Sequence, residues 1–180
     1  MSKTNSIIAL TLAAITFSAS SLAVDEDNYP QASKTLANAD VSTSEMLERI
    51  EDKYADTIYG YELEEINNRF FHEVKMVDQN ASKVTTLLID AKTGQWIERV
   101  HPINTLSEMT EKQSMLQAME TAKVDMREAV AAISLSDTMV VSEVDFEQDN
   151  GVSYFEVETV GPTGDTEWSV NIENRRVTAS

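Results

Sequence analysis

Carboxylates are the reactive groups this chain has in excess. Its 180 residues hold 31 Asp and Glu against 14 Lys and Arg, a formal net charge of −17. One group of acids has the spacing of a metal site: Asp145, Glu147, Asp149 and Glu156 stand at relative positions 1, 3, 5 and 12 of an EF-hand calcium loop. The glycine such a loop needs at position 6 is displaced, because Asn150 stands there and Gly151 follows it. The flanks also alternate as strands do, so a solvated hairpin with an acidic face accounts for the same residues without calcium. Other acid pairs follow from abundance alone and single out no general acid–base couple.

Other reactive types are sparse. There is no cysteine, which removes disulfides, thiolate metal sites and cysteine nucleophiles. The two histidines, His72 and His101, fit no H-E-x-x-H spacing. His72 shares strand parity with Val74 and reads as a packed histidine, while His101 precedes Pro102 and reads as an exposed loop residue. No nucleophile elbow, phosphate loop or dinucleotide-binding turn is present. Met109, Met115, Met119 and Met126 have soft-metal character, but their helical spacing makes them adaptable core. Asn80-Ala81-Ser82 reads as a turn. The chain is therefore expected to be no enzyme and to carry no cofactor. Its acidity also excludes nucleic acid and anionic membrane surfaces, both of which need clustered cations.

These groups need elements to position them, and the first 41 residues are set aside before the elements are sought. Residues 1–23 read as a secretory signal peptide: Lys3, an 11-residue apolar run at 7–17, then Ser21-Leu22-Ala23 as a small-x-small cleavage site. That run is too short for a permanent anchor, so no stable membrane insertion is expected. Residues 24–41 carry Asp25, Glu26, Asp27 and Pro30 and read as a flexible leader. The expected location is the periplasm or the medium.

A degenerate internal repeat organises the rest. Residues 71–75 (FHEVK) align with 154–158 (YFEVE) at an interval of 83, which carried forward places Ile89 on Ile172. Upstream, Asp56-Thr57-Ile58 falls on Asp137-Thr138-Met139 at an interval of 81. The first unit is expected over 42–104, and an inter-unit helix with the second unit over 105–180. Ser42 with Glu45 and Thr105 with Glu108 have capping-box spacing and open helices. Leu106, Met109, Leu116 and Met119 supply an apolar stripe for a helix over about 106–123, and a short helix is expected near 126–134. Strands are expected near 57–65, 69–77, 83–90 and 95–100, then at 140–146, 152–160 and 167–172, punctuated by Asn-Gly and Pro-Gly type turns. The fold class is α+β: two units, each a helix packed on an antiparallel three- to four-stranded sheet.

Period-2 alternation assigns faces. Phe155, Val157, Trp168, Val170 and Ile172 face the helix, and so do Val74, Leu87 and Ile89. Glu143, Asp145, Glu156, Glu158 and Glu167 face outward and form the candidate partner-binding face. The outward residues of the first unit are apolar instead: Phe71, Val77, Val84 and Leu88. Such a surface should be covered, by the inter-unit helix or by another subunit.

The segment 84–97, VTTLLIDAKTGQWI, resembles a PepSY domain, with Ile89-Asp90-Ala91-Lys92-Thr93-Gly94 similar to that family's hairpin before its last strand. The 71–77 strand is similar to the family's central strand. The second unit lacks the Thr-Gly pair at 172–177, and neither unit has the Pro-Gly before its first strand. The resemblance implies a non-enzymatic, exported module that binds another protein and restrains or regulates a protease. The alternative is a periplasmic protein that binds a cation or small ligand on the acidic sheet face.

Overall fold

The computed structural model describes residues 43–133, 135, 139–161 and 164–179. The signal and leader segments, the Ser42 cap, Asp137-Thr138 and Pro162-Thr163 lie outside the described residues. The elements run α1 (Thr43–Glu51), β1 (Thr57–Ile66), β2 (Arg69–Val77), β3 (Lys83–Asp90), β4 (Trp96–Pro102), α2 (Leu106–Ala122), α3 (Met126–Ala132), β5 (Val140–Asp149), β6 (Val152–Gly161), β7 (Gly164–Asn171) and β8 (Val177–Ala179). β1 and β2 are joined through Asn67 and Asn68 at φ 53 and 60, β5 and β6 through Asn150 and Gly151 at φ 50 and 80. Positive φ at both central residues is what a tight hairpin between twisted strands requires.

All eight strands form a single antiparallel sheet in the order β4-β3-β2-β1-β5-β6-β7-β8. The expected pair of separate helix-on-sheet units is therefore incorrect. β1 pairs with β5, with Gly60 opposite Asp145, Tyr61 opposite Val144 and Glu62 opposite Glu143. Two four-stranded meanders kept apart would leave four sheet edges with unpaired N–H and C=O groups; joining them at this seam leaves two. The helices are shared as well. Arg127 of α3 reaches Glu48 and Glu51 of α1 at 3.5 and 3.2 Å. Met46, Leu47 and Ile50 of α1, with Ala129, Val130 and Ile133 in and after α3, are buried in one core cluster with Val74, Leu87, Val144, Phe155 and Val157.

The repeat persists in the registers, with its intervals corrected. Tyr61 opposite Val74 and Leu63 opposite His72 recur 83 residues on as Val144 opposite Val157 and Phe146 opposite Phe155. The bulge between Ile58 and Gly60 recurs between Val141 and Glu143. Past β2 the interval falls to 81: His72 opposite Ile89 answers Phe155 opposite Val170. Ile89 thus corresponds to Val170 and not to Ile172, and Thr57-Ile58 to Val140-Val141 and not to Thr138-Met139. The difference sits between the second and third strands, where Val77 pairs with Val84 but Val160 pairs with Asp165. Turn length fixes hairpin register, so a shorter turn moves every later match by two.

α2 opens at Thr105, whose hydroxyl accepts from the Glu108 N–H at 3.2 Å, and ends at Lys123 with φ 54. Met115 and Met119 are buried, but Leu106, expected in the apolar stripe, is 79% exposed. The helix lies by the end of the seam: Lys112 Nζ sits 4.1 Å over the Tyr59 ring, and the Ser114 hydroxyl donates to Gln148 at 3.2 Å. Val77 is buried and Val84 packs against the core, while Phe71 and Leu88 stay half-buried. Among the described residues, no helix is long and apolar enough to cross a membrane.

Candidate functional site

The five outward acids expected at the partner-binding face do come together. Glu143 and Asp145 on β5, Glu156 and Glu158 on β6 and Glu167 on β7 share one face. Glu167 is exposed and the other four are half-buried. Following the ladder pairs outward shows that the second half holds only part of the row. Glu73, Glu62, Glu143, Glu158 and Glu167 each stand opposite the next, on the adjacent strands β2, β1, β5, β6 and β7. Neighbouring strands lie about 4.8 Å apart, so this is a line of five carboxylates across the sheet. The next row runs Lys75, Gly60, Asp145, Glu156.

Glu62 and Glu73 could not be joined to this face without knowing that β1 meets β5. The available signal was the shared parity of Glu62 and Glu64 in β1 and of Glu73 and Lys75 in β2. Gly60 has a steric reason: a Cβ there would meet Asp145 Oδ1 at 3.2 Å and Lys75 Cδ at 3.3 Å. Its absence lets the Lys75 side chain lie along the seam, with Nζ 3.4 Å from Glu73 and 3.7 Å from Glu62.

Crowded acids hold their protons more tightly. Burial, then hydrogen bonding and repulsion from Asp145, then Glu62 and Glu158, push Glu143 up to about 7. Burial followed by neighbouring acids also raises Glu64 and Glu156. Glu62 and Glu158 rise as well, burial again first, against partial relief from Lys75 and Ser142. Burial pulls Lys75 down, but Glu73, Glu62 and Asp145 outweigh it and raise the ammonium. The face thus carries a dense, partly protonated field that gains from any cation brought to it.

Among the described residues, Glu62, Glu64 and Glu73 offer three carboxylate oxygens within 4.8 Å of one another. Oxygen donors in that arrangement suit a hard divalent cation, in competition with Lys75. The calcium-loop spacing proves to be a hairpin: Asp145 lies directly opposite Glu156, and Asp149 is separated from Val152 by a two-residue turn. A ladder holds these side chains along strands and cannot fold them around one ion.

His72 is buried on the inner face, with Nδ1 2.9 Å from the Tyr61 hydroxyl. Burial pushes the imidazole down to about 4. His101 lies on strand β4 opposite Val84, where a loop was expected. Met115, Met119 and Met126 are buried in the core, and Met109 packs against it.

No family model matches the chain, and no curated protein matches it. Among solved structures it is similar to a candidate lipoprotein from Clostridium difficile 630, with 19% identity over 81% of this chain and 98% of that one and a TM-score of 0.42.

Proposed function

We propose that the chain is an exported, non-enzymatic binding module whose acidic sheet face receives a basic protein surface. The row of five glutamates across five strands carries this reading. Like charges in ladder register work against the sheet, so a partner that brings cations to the row relieves repulsion as it binds. Restraint of a protease is the form of this reading that the PepSY resemblance implies, and it rests on the 89–94 turn and the 71–77 strand. The test is capture from the host envelope by the wild-type chain and by Glu156→Lys/Glu158→Lys, with circular dichroism to check the fold. A basic protein should be retained, should elute as salt rises, and should be lost from the folded double variant. Equal capture by that variant would overturn the reading.

A second reading is favoured by the Glu62, Glu64 and Glu73 oxygens. A divalent cation held there should raise the melting temperature by several degrees at saturation, on the order given by ligand linkage. EDTA should reverse the rise and Glu64→Gln should abolish it.

A further inference from the structure

The inner face of the sheet carries a buried polar pair in its first half that its second half lacks. Tyr61 and His72 are 1% and 4% exposed. The residues 83 positions on are Val144 and Phe155, both fully buried. The architecture accepts apolar side chains at both places, so it has no need of a phenol and an imidazole whose burial is unfavourable.

A second difference lies beside the first. The Ala91 N–H donates to the Phe70 carbonyl, and 81 residues on the Ile172 N–H donates to the Ser153 carbonyl in the same way. Ile172 is 1% exposed and fills its surroundings. Ala91 instead lines a cavity of about 280 Å³ between α1 and the β3–β4 turn. Met46, Ile50, Ile89 and Trp96 give it apolar walls, and His72, Arg49 and Lys92 also line it.

The polar groups around the cavity are arranged for an acceptor. Nδ1 of His72 is taken by Tyr61, whose hydroxyl is hydrogen-bonded to Thr43. With Thr43 donating to Tyr61 and Tyr61 donating to Nδ1, the imidazole proton stands on Nε2. Nε2 is the ring nitrogen that this contact leaves over. Arg49 is paired with Glu45 at the surface, and Lys53 Nζ stands 3.8 Å over the Trp96 ring. The one acid of the lining, Asp90, is held by the N–H groups of Lys92 and Thr93, the Thr93 hydroxyl and Arg69. The lining thus holds two cations, Arg49 and Lys92, against one acid, Asp90, in a chain of net charge −17.

We propose that the cavity binds a small apolar carboxylic acid, the carboxylate accepting from His72 Nε2 and drawn by Arg49 and Lys92, the apolar body against Met46, Ile50, Ile89 and Trp96. Its volume lies just under the range of about 300–1,000 Å³ usual for drug-sized ligands, which points to a molecule with the bulk of phenylacetate. The inference stands apart from the acidic face on the opposite side of the sheet.

The test is an amide NMR titration of the whole chain with phenylacetate, and with 2-phenylethanol as its uncharged counterpart. Saturable shifts are expected at residues 89–96, with the alcohol at least tenfold weaker. His72→Phe installs what the second half already carries at Phe155, so it should fold and should bind phenylacetate at least tenfold more weakly. Trp96→Ala, on an exposed edge strand, is the second variant and should lose binding likewise. No saturable shift with phenylacetate, equal binding of the alcohol, or a loss below tenfold in both folded variants would overturn the proposal.

Discussion

Glu62 and Glu143 stand directly opposite each other across the β1–β5 seam, like charges at the junction that makes the sheet continuous. The seam holds because both side chains are half-buried over an extensive apolar core on the other face, and because Glu143 keeps its proton up to about 7. A carboxyl whose pKa is raised on folding destabilises the fold only when ionised. Its penalty is absent below the ordinary carboxylate range, grows as pH rises from about 4.5, and is complete above about 7. Glu143→Gln should therefore stabilise the chain at pH 7.5, by about 1 kcal/mol once solvent screening is allowed for, and leave it unchanged at pH 4. Urea denaturation of both proteins across that range checks this. The opposing titration of His72 is common to both and cancels in the difference.

Tyr61→Phe should destabilise by about 1–3 kcal/mol, because it leaves Nδ1 of a buried histidine without a partner. Adding His72→Phe should recover most of that loss, since the second half packs Val144 and Phe155 in the same positions. A double-mutant cycle by chemical denaturation measures the coupling.

Gly94 has φ +66, and a Cβ added there would meet no atom within 4 Å. Gly94→Ala should thus cost only the strain of positive φ, about 1 kcal/mol. Arg175 stands 81 residues on with φ 57, and its N–H reaches Asn171 as that of Gly94 reaches Asp90. Arg175→Gly should therefore stabilise, by about 0.5 kcal/mol, with little lost from the exposed contact to Glu128. Melting temperatures of the two variants should move in opposite directions.

Asp90 and Asn171 close the same turn with different chemistry. Asp90 Oδ1 accepts from the Lys92 and Thr93 N–H groups at 3.1 and 2.7 Å, and Asn171 Oδ1 from Glu173 and Asn174 at 3.0 Å each. Burial opposes ionisation of Asp90, but the Thr93 bonds and Arg69 outweigh it and hold the carboxyl below its ordinary range. That stability is present above the unfolded value and is lost as pH falls through the folded one. Asp90→Asn should cost less than about 1 kcal/mol at pH 7 and less still at pH 2, whereas Asp90→Ala should cost about 2 kcal/mol at pH 7. Denaturation at both pH values separates the turn from the charge.

Local pattern was enough to place most of this fold. The strands read from alternation begin within a few residues of those observed, and Gly94, Asn150 and Gly151 mark real positive-φ turns. The short β8 strand, Val177–Ala179, carries too few residues to show a period and was missed. Pairing between β1 and β5 was illegible for a different reason: nothing in either strand states which of several edges it will meet. Two of the five glutamates of the acidic row were hidden with it, because Glu62 and Glu73 lie in a half whose outward residues Phe71 and Leu88 are apolar. The cavity at His72 was equally out of reach, since it depends on Ala91 matching Ile172 at an interval that only hairpin register reveals.

The register of the seam is also symmetric, as that of a dimer of half-length chains would be. Tyr61 pairs with Val144, its own counterpart 83 residues on, and Gly60 pairs with Asp145 just as Glu62 pairs with Glu143. The pairing therefore reads the same from either half, with a local twofold axis passing between Tyr61 and Val144. A half-length chain would meet a second copy of itself along this same edge, as isologous dimers do. Duplication and fusion of such a dimer would turn a concentration-dependent contact into an internal one, with the α2 segment as the tether. Each half would then be free to diverge, and the two differ now at Tyr61 and Val144, His72 and Phe155, and Ala91 and Ile172.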